Sequence, residues 1–265
     1  MSAPPIVSFW HGPIGWLERL SITSFLRHGH SVAVYSFDPL ELPPGAERRD
    51  AAEILGREAL VFYKDRGTPA VFSDRFRLEL LRAGRGIYAD LDVYCVRPFP
   101  ENPDYLMGWE RPGSINNAVL HIPADAPLLG DLLGIFEPHN RPLLEPHLPL
   151  GRRVEVAARR LLGQKVLPHQ MQFGATGPFA LTHFMAKRDL LDRVQPQPVF
   201  YPLAYEQIPA LMQPGSSVGP ALRPETLSIH LWRSQLTNRG RAALPAPPPG
   251  SAMRQLCDRE GITLD

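Results

Sequence analysis

Two aspartates stand two residues apart in an otherwise apolar run, GIYADLDVYCV at 86–96. The alternation predicts a strand, on which Asp90 and Asp92 share one face with Tyr88 and Tyr94. Two carboxylates this close repel each other unless a cation lies between them. Mg²⁺ and Mn²⁺ prefer carboxylate oxygens and fill their shell with phosphates and water, so the pair suits a metal-bound diphosphate. A pair of surface acids on an edge strand is the alternative for so short a motif.

The elements expected to position this pair form a β–α–β pattern. The segments PPIVSFW at 4–10 and SVAVYSF at 31–37 predict strands, and 15–29 between them has the periodicity of a helix that Gly29 ends. This order favours a parallel sheet with a right-handed crossover. Ligands of open α/β sheets bind beyond the carboxyl ends of the strands, where the aspartates are expected.

A second helix, FSDRFRLELLRAGRG, is predicted to run directly into the aspartate strand. Ser73 is its expected N-cap, and Gly84 and Gly86 are expected to end it. Asp74 and Arg77 lie three residues apart and therefore share a helix face. They form either a surface ion pair of little consequence or part of the site. Their position just before the aspartates favours the site.

The remaining segments are predicted more coarsely. Apolar runs predict strands at 116–122, 199–205 and 227–232, and a mainly helical region at 124–195 is broken by a proline-rich loop at 137–151. The segment LPAPPPG at 244–250 predicts a semi-rigid linker. We therefore expect one domain over 1–243, followed by a linker and short tail over 244–265.

The composition is that of an ordinary globular enzyme. The 265 residues are 44% hydrophobic and 21% charged with a net charge of +1, which argues against nucleic acid as a partner. The basic segment GRRVEVAARR at 151–160 is expected to be a solvated helix face. Two cysteines are too few for a disulfide framework or a cysteine zinc site. Neither a signal peptide nor a membrane-spanning apolar run is evident, so a cytoplasmic location is expected.

The block FSDRFRLELLRAGRGIYADLDVYCVRPF resembles the sugar-binding region of the DXD-containing glycosyltransferases. That group includes initiating mannosyltransferases, α1,4-galactosyltransferases and the glucosyltransferase domain of large clostridial toxins. The residues that match the family pattern are Ser73, Asp74, Arg77, Gly86, Tyr88, Asp90 and Asp92. Arg85 stands where the family has the first glycine of a pair.

Matches on both sides of the block imply further donor contacts. IVSFWHGP resembles the family's opening strand, in which Trp10 would stack on the nucleotide base, and INNAVL resembles the strand where Asn116 or Asn117 would bind sugar hydroxyls. TGPFALT at 176–182 resembles an acceptor-side loop and helix. A core aromatic, an asparagine turn and a Gly-Pro turn are the structural alternatives.

The segment SIHLWRSQL at 228–236 resembles the part of the family that folds over the donor. The resemblance makes His230 a candidate third metal ligand or pyrophosphate contact, and Trp232 and Ser234 candidates for phosphate oxygens. A structural histidine in a strand is the alternative.

Taken as a whole, the resemblance implies a GT-A type α/β fold, with a mixed, mostly parallel sheet flanked by helices. It also implies a hexosyltransferase that uses Mn²⁺ or Mg²⁺ and a nucleotide-sugar, UDP-sugar above others, and that retains the anomeric configuration. Asp92 would hold the cation, while Asp74, Asp90 and Arg77 would contact sugar or ribose. The acceptor would be a glycan or lipid-linked hydroxyl in polysaccharide biosynthesis, which is compatible with peripheral membrane association.

Two other classes stay open at this point. A metal-dependent nucleotidyl- or phosphotransferase shares the same metal–diphosphate chemistry, and a non-catalytic nucleotide-sugar or carbohydrate-binding protein shares the same contacts. A glycoside hydrolase fits less well, because its two carboxyls must flank a bond and usually come from different strands.

Overall fold

The computed structural model describes residues 3–62, 68–137, 149–164, 167–238 and 243–264. Its main sheet has six strands: β1 (Ile6–Phe9), β2 (Val32–Ser36), β3 (Ala46–Asp50), β4 (Ile87–Ala89), β6 (Leu106–Arg111) and β7 (Ser114–His121). A separate two-stranded sheet pairs β5 (Val93–Cys95) with β8 (Ser228–His230).

The six-stranded sheet has the order β3-β2-β1-β4-β7-β6. The first four strands are parallel, and β7 runs antiparallel to β4 and β6 on either side of it. The expected α/β class with a mixed, mostly parallel sheet is therefore confirmed, and the architecture is consistent with a GT-A fold. Of its strands, the charged edge strand β3 and strand β6 were not predicted.

Helices cover both faces of this sheet. Alternate residues of a strand point to opposite sides, so one strand contacts helices on both faces. In β1, Ile6 packs with α1 on one face and Val7 packs with α2 on the other. The helices are α1 (Trp16–Arg27), α2 (Ala70–Arg82), α3 (Pro127–Leu133), α4 (Leu150–Leu161), α5 (Pro178–Lys187), α6 (Gln197–Phe200), α7 (Arg233–Leu236) and α8 (Ala252–Arg259).

The predicted strand at 86–96 is interrupted. β4 ends at Ala89, a turn follows at Leu91 and Asp92, and β5 then leaves the main sheet to pair with β8. The turn breaks the period-two alternation, so Tyr88 packs in the cluster on the α2 side while Tyr94 packs in the cluster on the α1 side. The prediction that Tyr94 shares a face with Tyr88 is therefore wrong.

Three other expectations need correction or comment. Helix α2 begins at Ala70 rather than at Ser73. The strand predicted at 199–205 is wrong, since its first two residues belong to helix α6. Pro198 lies in the first turn of that helix, a position that proline favours. Most of the proline-rich loop predicted at 137–151 lies outside the described residues.

The turn before β4 explains one glycine and the departure beside it. Gly86 has φ +138°, and a Cβ there would collide with the carbonyl oxygen of Pro5. Arg85 is exposed and has no left-handed backbone conformation. The turn therefore needs glycine only at the second position of the family's pair.

The segment after Leu244, predicted as linker and tail, returns to the main unit. Helix α8 buries Met253, Leu256 and Cys257 in the cluster that also contains α1. Cys95, the other cysteine, is buried in the same cluster. Burial raises the pKa of both thiols, that of Cys257 to about 12. No helix among the described residues is long and apolar enough to cross a membrane.

Candidate functional site

Two aspartates and a histidine converge where the chain leaves the main sheet after β4. Asp90, Asp92 and His230 each present one oxygen or nitrogen atom, and these atoms all lie within 4.8 Å of one another. The backbone N–H of Asp90 donates to the carbonyl of Ala118 on β7 (2.8 Å). His230 ends β8 and lies opposite Val93, so the small sheet brings the late histidine to the aspartates. We call these three residues the acidic cluster.

Asp92 is held by the C-terminal segment of the chain. Its Oδ1 lies 3.1 Å from Nε2 of His230, and its Oδ2 accepts a hydrogen bond from the backbone N–H of Arg233 (2.8 Å). Burial alone would raise the pKa of Asp92, but His230 and the N–H donors outweigh burial and lower it. The Asp92 carboxylate is therefore ionised at neutral pH.

Asp90 has different partners. Its Oδ1 accepts from the hydroxyl of Tyr88 (2.9 Å) and lies 3.3 Å from the guanidinium of Arg77. Burial raises the pKa of Asp90, and the negative charge of Asp92 adds to this, while Arg77 acts in the opposite direction. Of the two acids, Asp90 therefore has the higher pKa and takes up a proton more readily than Asp92.

Asp74 lies at the centre of a buried hydrogen-bond network. Its Oδ1 accepts from the side-chain amide of Asn117 (2.9 Å), and its Oδ2 accepts from the hydroxyl of Thr176 (2.7 Å). Arg77 lies 3.7 Å from the same carboxylate and donates to the backbone carbonyl of Asn117. Burial is the main cause of the raised pKa of Asp74. We call these four residues the buried network.

Arg77 links the buried network to the acidic cluster. Its guanidinium lies 4.5 Å from the ring centroid of Tyr88, between Asp74 and Asp90. Burial disfavours its charge, but Asp90, Tyr88 and Asp74 more than compensate and raise its pKa. One permanent cation therefore serves both aspartates.

A glycine permits the loop before α5 to reach this network. A Cβ placed on Gly177 would lie 2.7 Å from both the side-chain nitrogen of Asn117 and Oδ1 of Asp74. Any side chain at this position would displace one of the two. The segment TGPFALT thus contacts the site directly through Thr176 and Gly177.

Two aromatic rings pack against His230. Trp232 stacks on the imidazole with ring centroids 4.3 Å apart, and Tyr201 lies 5.9 Å from it. Nδ1 of His230 is buried and has no hydrogen-bond partner among the described residues. Trp232 also has φ +36°, a rare backbone conformation for a bulky residue that is found mostly at functional sites.

Trp10 and Arg233 meet at the end of β1. Trp10 is partly buried and donates from its ring N–H to the carbonyl of Pro13 (3.1 Å). The guanidinium of Arg233 lies 5.8 Å from the Trp10 ring and is paired at 2.9 Å with Glu18, which is fully buried in α1. Burial raises the pKa of Glu18, and Arg233 opposes that shift.

Asn116 and Ser234 lie further out in the same region. Asn116 donates to the carboxylate of Glu110 (2.8 Å) and lies 3.4 Å from the hydroxyl of Tyr201. The hydroxyl of Ser234 lies 3.5 Å from that of Tyr205, whose ring packs edge-on against Trp232.

The fold thus connects every residue that the sequence suggested for the site. Six others join them: Glu18, Glu110, Thr176, Tyr201, Tyr205 and Arg233. Thr176 and Arg233 lie inside segments that the sequence singled out, so their neighbours were the signal. Glu18 gave none, because nothing in one sequence pairs it with a residue 215 positions away.

The acidic cluster fits a divalent cation by its donor chemistry. Two carboxylate oxygens and one imidazole nitrogen suit Mn²⁺ or Mg²⁺ with water and phosphate as further ligands. Nδ1 of His230 has no hydrogen-bond partner among the described residues, which leaves this ring nitrogen available to a further group.

Comparison with solved structures finds several that are similar to this chain. No family model matches the chain, and no curated protein matches it. The PaToxG glycosyltransferase is similar over 72% of this chain and 74% of its own, with 14% identity and a TM-score of 0.42.

Proposed function

We propose that the chain is a metal-dependent glycosyltransferase that moves a hexose from a nucleotide-sugar, UDP-sugar above others, to a hydroxyl acceptor. The observation that carries the proposal is the convergence of Asp90, Asp92 and His230 within 4.8 Å, beside a buried arginine. This cluster follows β4, and Trp10 follows the neighbouring parallel strand β1. The carboxyl ends of adjacent parallel strands are where α/β folds bind nucleotides.

In this proposal the two halves of the site have different tasks. Asp92 and His230 hold the cation with Asp90, and a bound cation would neutralise the charge that develops on the leaving diphosphate. Trp10 stacks on the base, and Arg233 lies next to it as a fixed positive charge for phosphate oxygens. Trp232 and Ser234, which lie in the same segment as Arg233, contact the phosphates.

Arg77 and the asparagines contact the sugar. Arg77 is buried and permanently charged, and its contacts with Asp74 and Asp90 fix its position. Asn116 donates to Glu110 and accepts from Tyr201 and from the backbone N–H of Ala118, so it would offer a sugar hydroxyl its second amide N–H, whereas Asn117 is held by Asp74. Asp74 acts here mainly by positioning Asn117 and Arg77.

We further propose retention of the anomeric configuration by front-face displacement. The acceptor hydroxyl attacks the anomeric carbon on the side from which the diphosphate leaves, and its proton passes to a leaving phosphate oxygen. No covalent intermediate forms, and no protein base is required. This route is consistent with both Asp90 and Asp92 being engaged by partners in the site.

The experiment that tests the proposal is a donor panel. UDP- and GDP-hexoses are incubated with the protein, with and without Mn²⁺, and release of the nucleoside diphosphate is measured. We expect slow, Mn²⁺-dependent release from one donor and a matching thermal stabilisation by that donor. Stabilisation without turnover would favour a binding protein. Release of pyrophosphate or phosphate would favour a nucleotidyl- or phosphotransferase. The absence of both stabilisation and release would refute the proposal.

A further inference from the structure

Exposed apolar side chains are concentrated in one stretch of the chain. Among the described residues, eight large hydrophobic side chains are exposed, and six of them lie between 150 and 173. They are Leu150, Val154, Leu161, Leu162, Leu167 and Phe173. Scattered exposed hydrophobics are normal in proteins, whereas a contiguous group marks an interaction surface.

Three of these residues form a stripe along helix α4. Leu150, Val154 and Leu161 lie within about 40° of one another around the helix axis. They are 72%, 61% and 89% exposed. The opposite face is anchored, since Val156 is buried with Met171 and Ala175. The helix therefore packs on the protein through one side and presents an apolar stripe on the other.

Two of the four arginine positions of α4, 153 and 160, border the stripe on one side, whereas Arg152 and Arg159 lie on the opposite side of the helix. Within α4 there are four arginines and a single acid, Glu155. Arg152 and Arg159 both pair with Glu155, so one carboxylate is shared between two guanidiniums and positive charge remains in excess. An apolar stripe with arginine along one border, on a helix with excess positive charge, suits a helix that lies in the plane of an anionic membrane surface.

The stripe is connected to the candidate site by a short segment. Arg152 donates to the backbone carbonyl of Gln170, and Met171 packs against Val156. A few residues further on, Thr176 bonds Asp74 and Gly177 contacts it closely. A surface bound by the stripe would therefore lie across α4 from the segment that leads to the site.

We infer that helix α4 docks the protein on anionic phospholipid membranes, with the stripe of Leu150, Val154 and Leu161 inserted at the headgroup boundary. The arginines provide attraction to the lipid phosphates, and the stripe provides apolar burial. This inference concerns the surface and does not depend on which reaction the site performs.

The test is co-sedimentation of the full chain with vesicles. We expect binding to vesicles of phosphatidylglycerol and phosphatidylcholine in equal parts, and far weaker binding to phosphatidylcholine alone. The combined variant Leu150→Glu, Val154→Glu and Leu161→Glu should bind more than about tenfold less, because each change places a charge in the apolar boundary. Arg153→Gln should weaken binding to the anionic vesicles about fivefold.

Leu191→Glu is the matched control, since Leu191 is an exposed leucine outside the stripe and its change should leave binding intact. Unfolding temperatures show whether each variant is folded. Failure of the wild type to bind the anionic vesicles, equal binding to both vesicle types, or full binding by the triple variant would each overturn the inference. A dimer in solution that the triple variant dissociates, without vesicle binding, would instead assign the stripe to a second copy of the chain.

Discussion

Two aspartates in one site, the buried Asp74 and the half-buried Asp92, have opposite electrostatic surroundings. Asp74 accepts hydrogen bonds from two neutral side chains, and its pKa is raised by burial. Asp92 faces His230 and a backbone N–H, and despite burial its pKa is lowered. Both oxygens of Asp74 are occupied within the protein, whereas the surroundings of Asp92 include a histidine nitrogen with no partner in the part of the chain that the structure describes.

The difference teaches how one site can separate support from chemistry. A carboxylate whose oxygens are both occupied by neutral donors fixes the positions of its neighbours. A carboxylate that stays ionised beside a second acid is suited to a cation. We therefore expect changes at Asp74 to affect stability first, and changes at Asp92 to affect turnover first.

The largest expected effect is that of Asp92→Asn on turnover. The variant keeps an oxygen for the Arg233 N–H but loses the ionised ligand, so Mn²⁺-dependent release of nucleoside diphosphate should fall about a hundredfold or more. The free energy of unfolding should fall by only about 1 kcal/mol. Donor assays and thermal unfolding measure the two quantities. Asp125→Asn, at an exposed position, is the control, and full turnover by Asp92→Asn would refute the ligand assignment.

Asp74→Ala should reverse that balance. It leaves the donors of Asn117 and Thr176 and the charge of Arg77 buried without their partner, which should cost about 3 kcal/mol of stability. Chemical denaturation measures this loss. Asp258→Ala, which removes an exposed ion pair with Arg254, should change stability by less than about 1 kcal/mol. Equal losses in the two variants would contradict the support role of Asp74.

Gly177→Ala tests the same network with one added carbon. The new Cβ would lie 2.7 Å from atoms of Asp74 and Asn117 that are already fixed by hydrogen bonds, so we expect a loss of about 2 kcal/mol. Gly130→Ala in helix α3 meets nothing within 4 Å and should be neutral or slightly stabilising. Thermal melts of both variants, run side by side, decide whether the contact is as tight as described.

The smallest expected effect is a divergence in the pH dependence of stability. A raised pKa means that Asp74 contributes stability at acidic pH that is lost as pH rises through its folded-state pKa. A lowered pKa means that Asp92 contributes stability above its ordinary pKa that is lost as pH falls. Relative to wild type, Asp74→Asn should therefore gain and Asp92→Asn should lose stability as pH rises from about 3 to 6.

Unfolding temperatures across that range measure the divergence. The two difference curves should have slopes of opposite sign, which a general effect of net charge would not produce. Curves with the same slope would show that the two aspartates share one environment.

Local patterns in the sequence predicted the parts of the fold that depend on local physics. The β1–α1–β2 unit, helix α2 and strand β7 follow from periodicity and end signals, and all are present. The break at Leu91 was missed because the alternation of apolar residues continues across it, while the chain changes its pairing partner from β7 to β8. Pairing over such distances is decided by tertiary contacts.

The candidate site shows the same division. Asp90, Asp92 and His230 were predicted, and the structure brings them together, although their roles stay predictions. Asn117 and Thr176 were not predicted as partners of Asp74. They lie 43 and 102 positions away from it in the chain, and neither segment alone indicates so distant a hydrogen bond. The exposure of the α4 stripe was also unforeseen, since 151–160 fits a solvated basic face equally well.

Both cysteines are buried and hold their protons tightly, so neither offers a reactive thiolate near neutral pH. We therefore expect a thiol-reactive label not to react with the native cysteines of the folded chain. A single change, Leu161→Cys, would introduce one accessible sulfur at the most exposed apolar position of α4. A polarity-sensitive dye attached there would report directly on whether that helix end enters lipid, without either native cysteine having to be removed first.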